Sequence, residues 1–271
     1  MQEPVIGIDL GTSYSCVSIM MDGQPEVIPN EWGERTQASV VSFLEDGRIQ
    51  VGNDAKRRLL THPRHTIYSA KRLIGRYMFS PEVKKAQAVC PYEIVEGDNH
   101  GVRIQILGEI LSLPQVSALV LKEMKEIAEA YLDMPVEKAV ITVPAYFNDN
   151  QRQATQDAGR IAGLDVLRII NEPTAAALAY GFGKKLNERV AIYDLGGGTF
   201  DISVMEIGED TFEVLATAGD TYLGGDDIDM RLMDYFADLF MQQTNINLRN
   251  DVGALQRLRE VSEETKKAFS Q

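Results

Sequence analysis

Cysteine is scarce in this chain: of 271 residues, only Cys16 and Cys90 are cysteine. Two thiols cannot staple a chain of this length, which excludes a disulfide-held scaffold and favours a reducing, cytoplasmic setting. Neither has a second Cys or a His at ligand spacing, and Cys16, inside an apolar strand, reads as a small core residue. Positive charge is also short. Lys and Arg number 27 against 40 Asp and Glu, a net charge of −13. That balance disfavours nucleic acid and anionic membranes as partners. It also repels polyphosphate at long range, so a phosphate site must work through local N–H groups, lysine and metal. No run approaches the ~18 apolar residues of a membrane helix. The stretch Met1-Gln2-Glu3-Pro4-Val5 has no basic start, so no secretory signal is expected. The remaining composition, 44% hydrophobic and 25% charged, is that of a soluble globular protein of about two domains.

Glycine, by contrast, stands where strand residues are expected. Tyr193-Asp194-Leu195 runs into Gly196-Gly197-Gly198 and then Thr199-Phe200-Asp201. Glycine loses the most backbone freedom in a strand; what it offers is close approach of a ligand to backbone N–H groups. Asp194 and Asp201 would repel a bare phosphate but make sense around a cation. The stretch therefore reads as a metal–phosphate cradle, or alternatively as a glycine bulge at a hairpin. It has an echo. Asp9–Met20 and Asp194–Met205 match in register at Asp, Leu, Gly, Ser and Met, with Val17/Ile202 and Ile19/Val204 conservative. Such an echo suggests two similar halves whose hairpins could grip one polyphosphate from both sides.

Taken in order, Val5 to Met21 reads as strand, turn and returning strand, with strand-like pieces at Gln24–Pro29 and Ser39–Phe43. Lys56-Arg57-Arg58 reads as a solvated helix face, and Lys71 by spacing alone is a surface residue. Tyr92 to Leu111 alternates, as in a small antiparallel sheet. Pro114 opens a helix whose stripe is Val116, Leu119, Val120, Met124, Ile127, Ala128 and Tyr131. Ala139–Val143 is a buried strand; Asn148 or Asp149 caps a helix to about Ala162. Val166–Ile170 is a strand, and Pro173 suits the first turn of the helix after it. Glu172 at that junction either favours the helix N-terminus or serves a metal site. Gly181 and Gly183 mark a boundary between halves. Phe212–Thr217 is a strand, and the loop Gly219–Asp226 opens the helix Ile228–Gln242. Gly224-Gly225 reads equally as a phosphate contact or a tight turn. Leu255, Leu258, Val261, Thr265 and Phe269 line an amphipathic helix with no C-cap glycine, so the chain is expected to be a fragment of a longer protein.

These residues together resemble the seventy-kilodalton heat-shock chaperone family, DnaK-type. The resemblance rests on Ile8–Ser15, Ala70–Gly75, Val143–Phe147, Asn171–Ala176 and Asp194–Asp201, and runs along nearly the whole chain. It implies an α/β fold of the actin and sugar-kinase (ribonuclease H-like) type: two lobes around a nucleotide cleft, the second lobe incomplete. Lobe I is expected over 1–183, with a small inserted subdomain at about 38–112, and a partial lobe II over 184–271. The implied activity is ATP hydrolysis driving cycles of unfolded-protein binding and release, with ATP or ADP, Mg2+ and K+ bound.

By position, Gly11, Thr12, Ser13 and Tyr14 match one phosphate loop and Gly196, Gly197, Gly198 and Thr199 the other, with Gly224 and Gly225 nearby. Asp9 and Asp194 correspond to carboxylates around Mg2+, through its waters, and Glu172 joins them. Lys71 is the residue that positions the attacking water, with Thr199 and Asp201 at the water and monovalent-ion sites. Glu263, Lys266, Lys267 and Ser270 match the adenosine pocket. Pro144 and Arg152 match positions that relay nucleotide state, and Arg168, Asn171 and Thr174 match a J-domain co-chaperone surface. A nucleotide exchange factor is the other implied partner, and the peptide-binding domain and linker are expected beyond Gln271. Ser13 replaces the family's usual Thr, keeping the hydroxyl; Gln37-Ala38 replaces Thr-Pro, which bears on loop shape rather than chemistry. The alternatives are a sugar kinase, which would show a carboxylate base near its acceptor, and a non-catalytic nucleotide-dependent module. ATP turnover by the chain alone is expected to be weak or absent.

Overall fold

The computed structural model describes residues 3–269 except 183, 185, 186, 209 and 210. The β-rich N-terminal run folds as expected into β1 (Val5–Asp9) and β2 (Tyr14–Met21), followed by β3 (Gln24–Val27). A short β4 (Gln37–Ala38) holds the departure from Thr-Pro, with Ala38 paired to Tyr14 of β2. The strand expected at Ser39–Phe43 is β5 (Val41–Phe43); it pairs with β6 (Ile49–Val51) and β7 (Thr66–Ile67), with helix α1 (Gly52–Arg57) between those two. Next come α2 (Pro81–Val89) and the alternating stretch, a three-stranded antiparallel sheet of β8 (Glu93–Glu96), β9 (Val102–Ile106) and β10 (Glu109–Ser112).

Helix α3 (Leu113–Leu132) starts at a capping box in which Ser112 and Gln115 satisfy each other's amides. Val116, Val120, Leu121, Met124 and Ala128 are buried, so the methionine is core. Tyr131 leaves the expected stripe: it is exposed and donates to Glu26, because its place near the helix end carries it past the sheet. Strand β11 (Lys138–Val143) lies parallel to β1, and β12 (Asp165–Asn171) parallel to β11. Between them α4 (Asp149–Ile161) is capped by Asn148, again through a capping box, with Gln151. The resulting sheet has the order β12-β11-β1-β2-β3 and carries the main core, where Ile6, Ile8 and Ile141 meet α3 and α4. Cys16 is half-buried rather than fully buried; it stands opposite Asp9 in the last pair before the hairpin turn.

Helix α5 (Glu172–Gly181) leads to an antiparallel sheet of β13 (Glu188–Leu195), β14 (Phe200–Ile207) and β15 (Phe212–Asp220). Its small buried cluster is Ala177, Met205 and Ile207. Of the expected boundary residues, Gly183 lies outside the described residues. Strand β15 runs past Thr217 to Asp220, so Gly219 is strand and not loop. A Cβ on Gly219 would lie 2.5 Å from the Phe200 carbonyl, and that close approach lets the ladder continue. Helices α6 (Gly225–Thr244) and α7 (Val252–Phe269) pack on each other. Among the described residues no helix is long and apolar enough to cross a membrane.

The echo is structural. Asp9 pairs with Cys16 and Asp194 with Asp201, equivalent positions of two equivalent hairpins. Gly75 shows how tightly the segment after β7 is seated. Its φ is +67°, and a Cβ there would lie 2.6 Å from the Gln151 Cα. Left-handed strain and backbone overlap add, so Gly75→Ala should destabilise the fold by ~2–5 kcal/mol. Urea unfolding checks this; a change inside ~0.5 kcal/mol, as at an ordinary surface position, would contradict it.

Candidate functional site

The two echoed hairpins meet tip to tip. A Cβ built on Gly197 would lie 1.9 Å from Ser13 Oγ, and one on Gly198 would lie 2.4 Å from Thr12 Cγ2. Only glycine permits that approach. The second tip is itself a hairpin turn, closed by the Gly196 N–H on the Thr199 carbonyl at 3.0 Å. The glycine stretch is therefore a hairpin turn, one of the two readings that its composition left open, and its glycines admit the first hairpin.

Behind the tips four charged side chains converge from different elements. Lys71, in a single turn of 3-10 helix at Ala70–Arg72, donates to Glu172 Oε1 at 2.7 Å. Their side chains are only 7% and 13% exposed, so the lysine is no surface residue. Phe147 flanks the ammonium, its ring centroid at 5.9 Å. Asp9, at the end of β1, accepts at Oδ1 from Thr142 Oγ1 at 2.9 Å, its register neighbour on β11. Asp194, one residue before the end of β13, takes the equivalent place in the second hairpin.

Burial pushes the Glu172 carboxyl up; Lys71 opposes this, while Asp9 and Asp194 add to it. Burial likewise raises Asp194, with Asp9 repulsion second. Asp201 is raised by burial, against the Ala145 backbone N–H that donates to Oδ2 at 3.3 Å. Its Oδ1 is buried with no partner among the described residues. Three carboxylates thus share one lysine, with a fourth close by and partly unsatisfied. That donor set fits a hard cation. Among the described residues, no three acid, His or Cys side chains converge closely enough to hold a metal directly.

In front of the tips lies a cavity of about 620 Å³. Thr12, Ser13, Tyr14, Gly196, Gly197 and Gly225 line one side, and Asp229, Arg259, Glu263, Lys266 and Lys267 the other. Gly11, Gly198, Thr199 and Gly224 sit in the loops without lining this cavity; Gly11 and Lys71 border a smaller void. Ser270 lies outside the described residues. The Gly224-Gly225 pair serves as a tight turn. Its helix-start amides are already engaged: Gly225 N–H donates to Gly196 O at 2.9 Å and Asp226 N–H to Gly197 O at 2.8 Å. A Cβ on Gly224 would lie 2.5 Å from Gly197 C. These amides brace the glycine turn rather than face the cavity.

Lys56 corrects the reading of its cluster as a solvated face. Its Nζ donates to Tyr14 OH at 2.7 Å and to Glu263 Oε1 at 3.0 Å, spanning the cavity mouth. Burial pulls its ammonium down, but Tyr14 and Glu263 more than offset this and the net shift is upward. Lys267 also donates to Glu263, and Lys266 to Asp229 Oδ2 at 2.7 Å. Arg259, on the same face of α7 four residues before Glu263, lies 4.4 Å from the Tyr68 ring centroid. That i, i+4 spacing was the signal available for it. Nothing local in the sequence singled out Lys56, because its partners are remote. Arg152 donates to Asn171 Oδ1 at 2.8 Å and to the Ala145 carbonyl at 3.2 Å, behind Pro144. Arg168 borders a separate cavity of about 530 Å³, with Arg152.

The raised carboxyls have a consequence for stability. A raised acid stabilises the fold fully below its ordinary value and loses that contribution as pH rises through its folded value. At neutral pH Asp194 is therefore a burden in the ligand-free protein. Asp194→Asn should raise the unfolding midpoint at pH 7, and the gain should shrink as pH falls toward the ordinary value of 3.8. Thermal scans of both proteins across pH check this; an equal or lower midpoint at pH 7 contradicts it.

Two facing glycine-bearing hairpins, a buried lysine–glutamate pair and a cation-hungry set of acids occur here in one chain. The Hsp70 protein family model matches residues 5–271. The chain belongs to the Hsp70 family, and carries its chaperone ATPase domain.

Proposed function

We propose that ATP binds in the space between the two hairpins and is hydrolysed there, only weakly by this chain alone. The observation that carries the reading is the Lys71–Glu172 pair, buried directly behind the hairpin tips. The fold is proposed to be the actin-like, two-lobed type, with lobe I at 1–183, an insertion at about 38–112 and lobe II from 184. The small sheets β5–β7 and β8–β10 support the insertion, whereas α5 buries Ala177 against Met205 and Ile207 and so packs across the 183/184 bound.

Thr12, Ser13 and the Gly196–Thr199 turn offer N–H and hydroxyl donors to the phosphates, and the cavity beside Glu263, Lys266 and Lys267 takes the nucleoside. Lys71 lies where it can orient a water and neutralise charge developing on the transferred phosphoryl. Glu172 orients the lysine ammonium through their 2.7 Å hydrogen bond. This is catalysis by positioning and charge compensation, with little covalent chemistry from the protein. Asp9, Asp194 and Glu172 would hold Mg2+ through water, and Asp201 with Thr199 a K+ ion. When bound, Mg2+ supplies neutralisation of the phosphate oxygens. Thr142 keeps one oxygen of Asp9 engaged and so fixes its rotamer. The cycle serves binding and release of unfolded polypeptide in the cytoplasm, with a J-domain co-chaperone meeting the surface of Arg168, Asn171 and Thr174, Pro144 and Arg152 relaying nucleotide state, and an exchange factor promoting ADP release.

Single-turnover ATP hydrolysis tests this. Lys71→Ala should slow the chemical step by ~10²–10³-fold, as for loss of one preorganised donor. Chelating Mg2+ should abolish turnover in both proteins. An unchanged rate in Lys71→Ala removes the lysine from the mechanism, and phosphorylation of added glucose or glycerol would favour a sugar-kinase activity instead.

A further inference from the structure

Lys71 sits on a turn of only three residues, and that turn is not held by its own backbone alone. The neighbour Arg72 points to the opposite side, toward the second half of the chain. Its side chain is 5% exposed. The guanidinium forks onto the Asp227 carboxylate, with Nη2 on Oδ2 and Nη1 on Oδ1 at 3.4 Å. Nη2 also reaches the Gly197 carbonyl at 3.5 Å, in the glycine turn itself. Its Nε lies against Gly198, where a Cβ would come within 2.8 Å. The Tyr222 ring covers the guanidinium, its centroid 4.5 Å away. Asp227 is held in turn by the Gly224 N–H at 2.8 Å.

Two further bonds run the same way. Ser69, whose φ of 53° is a conformation that an L-residue holds only where its surroundings fix it, donates to Asp226 Oδ2 at 2.6 Å. Arg76 donates to Thr221 Oγ1 at 2.9 Å. The segment 69–76 is thus strapped to residues 221–227 on both sides of Lys71.

We propose that Arg72 is a positioning residue for Lys71. Its planar fork ties the lysine-bearing turn to the glycine turn and to the start of α6, so that Lys71 takes its working place only when the two halves are together. A lysine could not replace it, since one ammonium cannot reproduce the bidentate, ring-covered geometry. The proposal rests on the reading of Lys71 given above.

The test is single-turnover ATP hydrolysis, with Mg2+, by the unsubstituted protein, Lys71→Ala, Arg72→Gln and the double variant. ATP affinity and unfolding midpoint are measured alongside. Arg72→Gln should slow the chemical step by up to ~100-fold, the scale of a misplacement of about 1 Å, with ATP affinity little changed. In the Lys71→Ala background it should cause no further loss, because the group it positions is gone. An equal loss in both backgrounds, or a normal rate in Arg72→Gln while Lys71→Ala is slow, overturns the proposal alone. A normal rate in Lys71→Ala overturns the reading of Lys71 and the proposal with it. Should Arg72→Gln fail to fold, Asp227→Asn breaks the same fork from its other end and is held to the same outcomes.

Discussion

One lysine is set against too many acids, and the rest of the structure is arranged around that imbalance. Lys71 reaches Glu172 at 2.7 Å, while Asp9 and Asp194 press on the same pocket from the ends of two strands. Water would separate like charges cheaply; a half-buried pocket does not, and Glu172 and Asp194 respond by holding their protons more tightly. Such a site stays folded because its members are fixed by elements whose stability comes from elsewhere. Asp9 ends a strand anchored by Ile6 and Ile8, and Glu172 begins a helix whose Ala177 is buried against Met205 and Ile207 of the second sheet. The hydrophobic core supplies the rigidity, and the site is where its excess stability is spent.

The glycines solve a different problem, that of bringing two backbones together. Gly197 and Gly198 leave room for the Ser13 and Thr12 side chains of the first hairpin, and Gly224 lies against the glycine turn. The start of α6 then donates its free amides to that turn, satisfying groups that every helix N-terminus leaves open. The turn is thus braced on one face by a helix and approached on the other by a hairpin. A side chain at any of these three positions would push the halves apart.

Much of this could be read in the residues. Period-2 and period-3.6 patterns placed β1, β2, α3 and β11, and a cap placed α4, because each signal depends only on which face of the element itself is buried or how its own end is satisfied. The echo of Asp9 at Asp194 was visible as twelve residues in register, and it proved to be the pairing register of two equivalent hairpins. What failed were readings that depended on remote partners. Lys56 looked solvated, since its partner Glu263 is 207 positions away. Gly224-Gly225 was ambiguous, since nothing nearby showed that its amides would be taken by Gly196 and Gly197. Tyr131 matched its stripe and still left the core.

The sequence by itself determined the main strands and helices, the acidic balance, the internal repeat and the family. These are written in local periodicity and in short motifs, whose physical causes act within a few residues. Only the tertiary structure decided which side of Lys71 is held by what. Glu172 lies 101 positions ahead of it and Asp227 is 155 positions from Arg72. Charge pairing acts over ångströms in space and leaves no mark on spacing along the chain, so those partners emerge only once the sheets have brought them together.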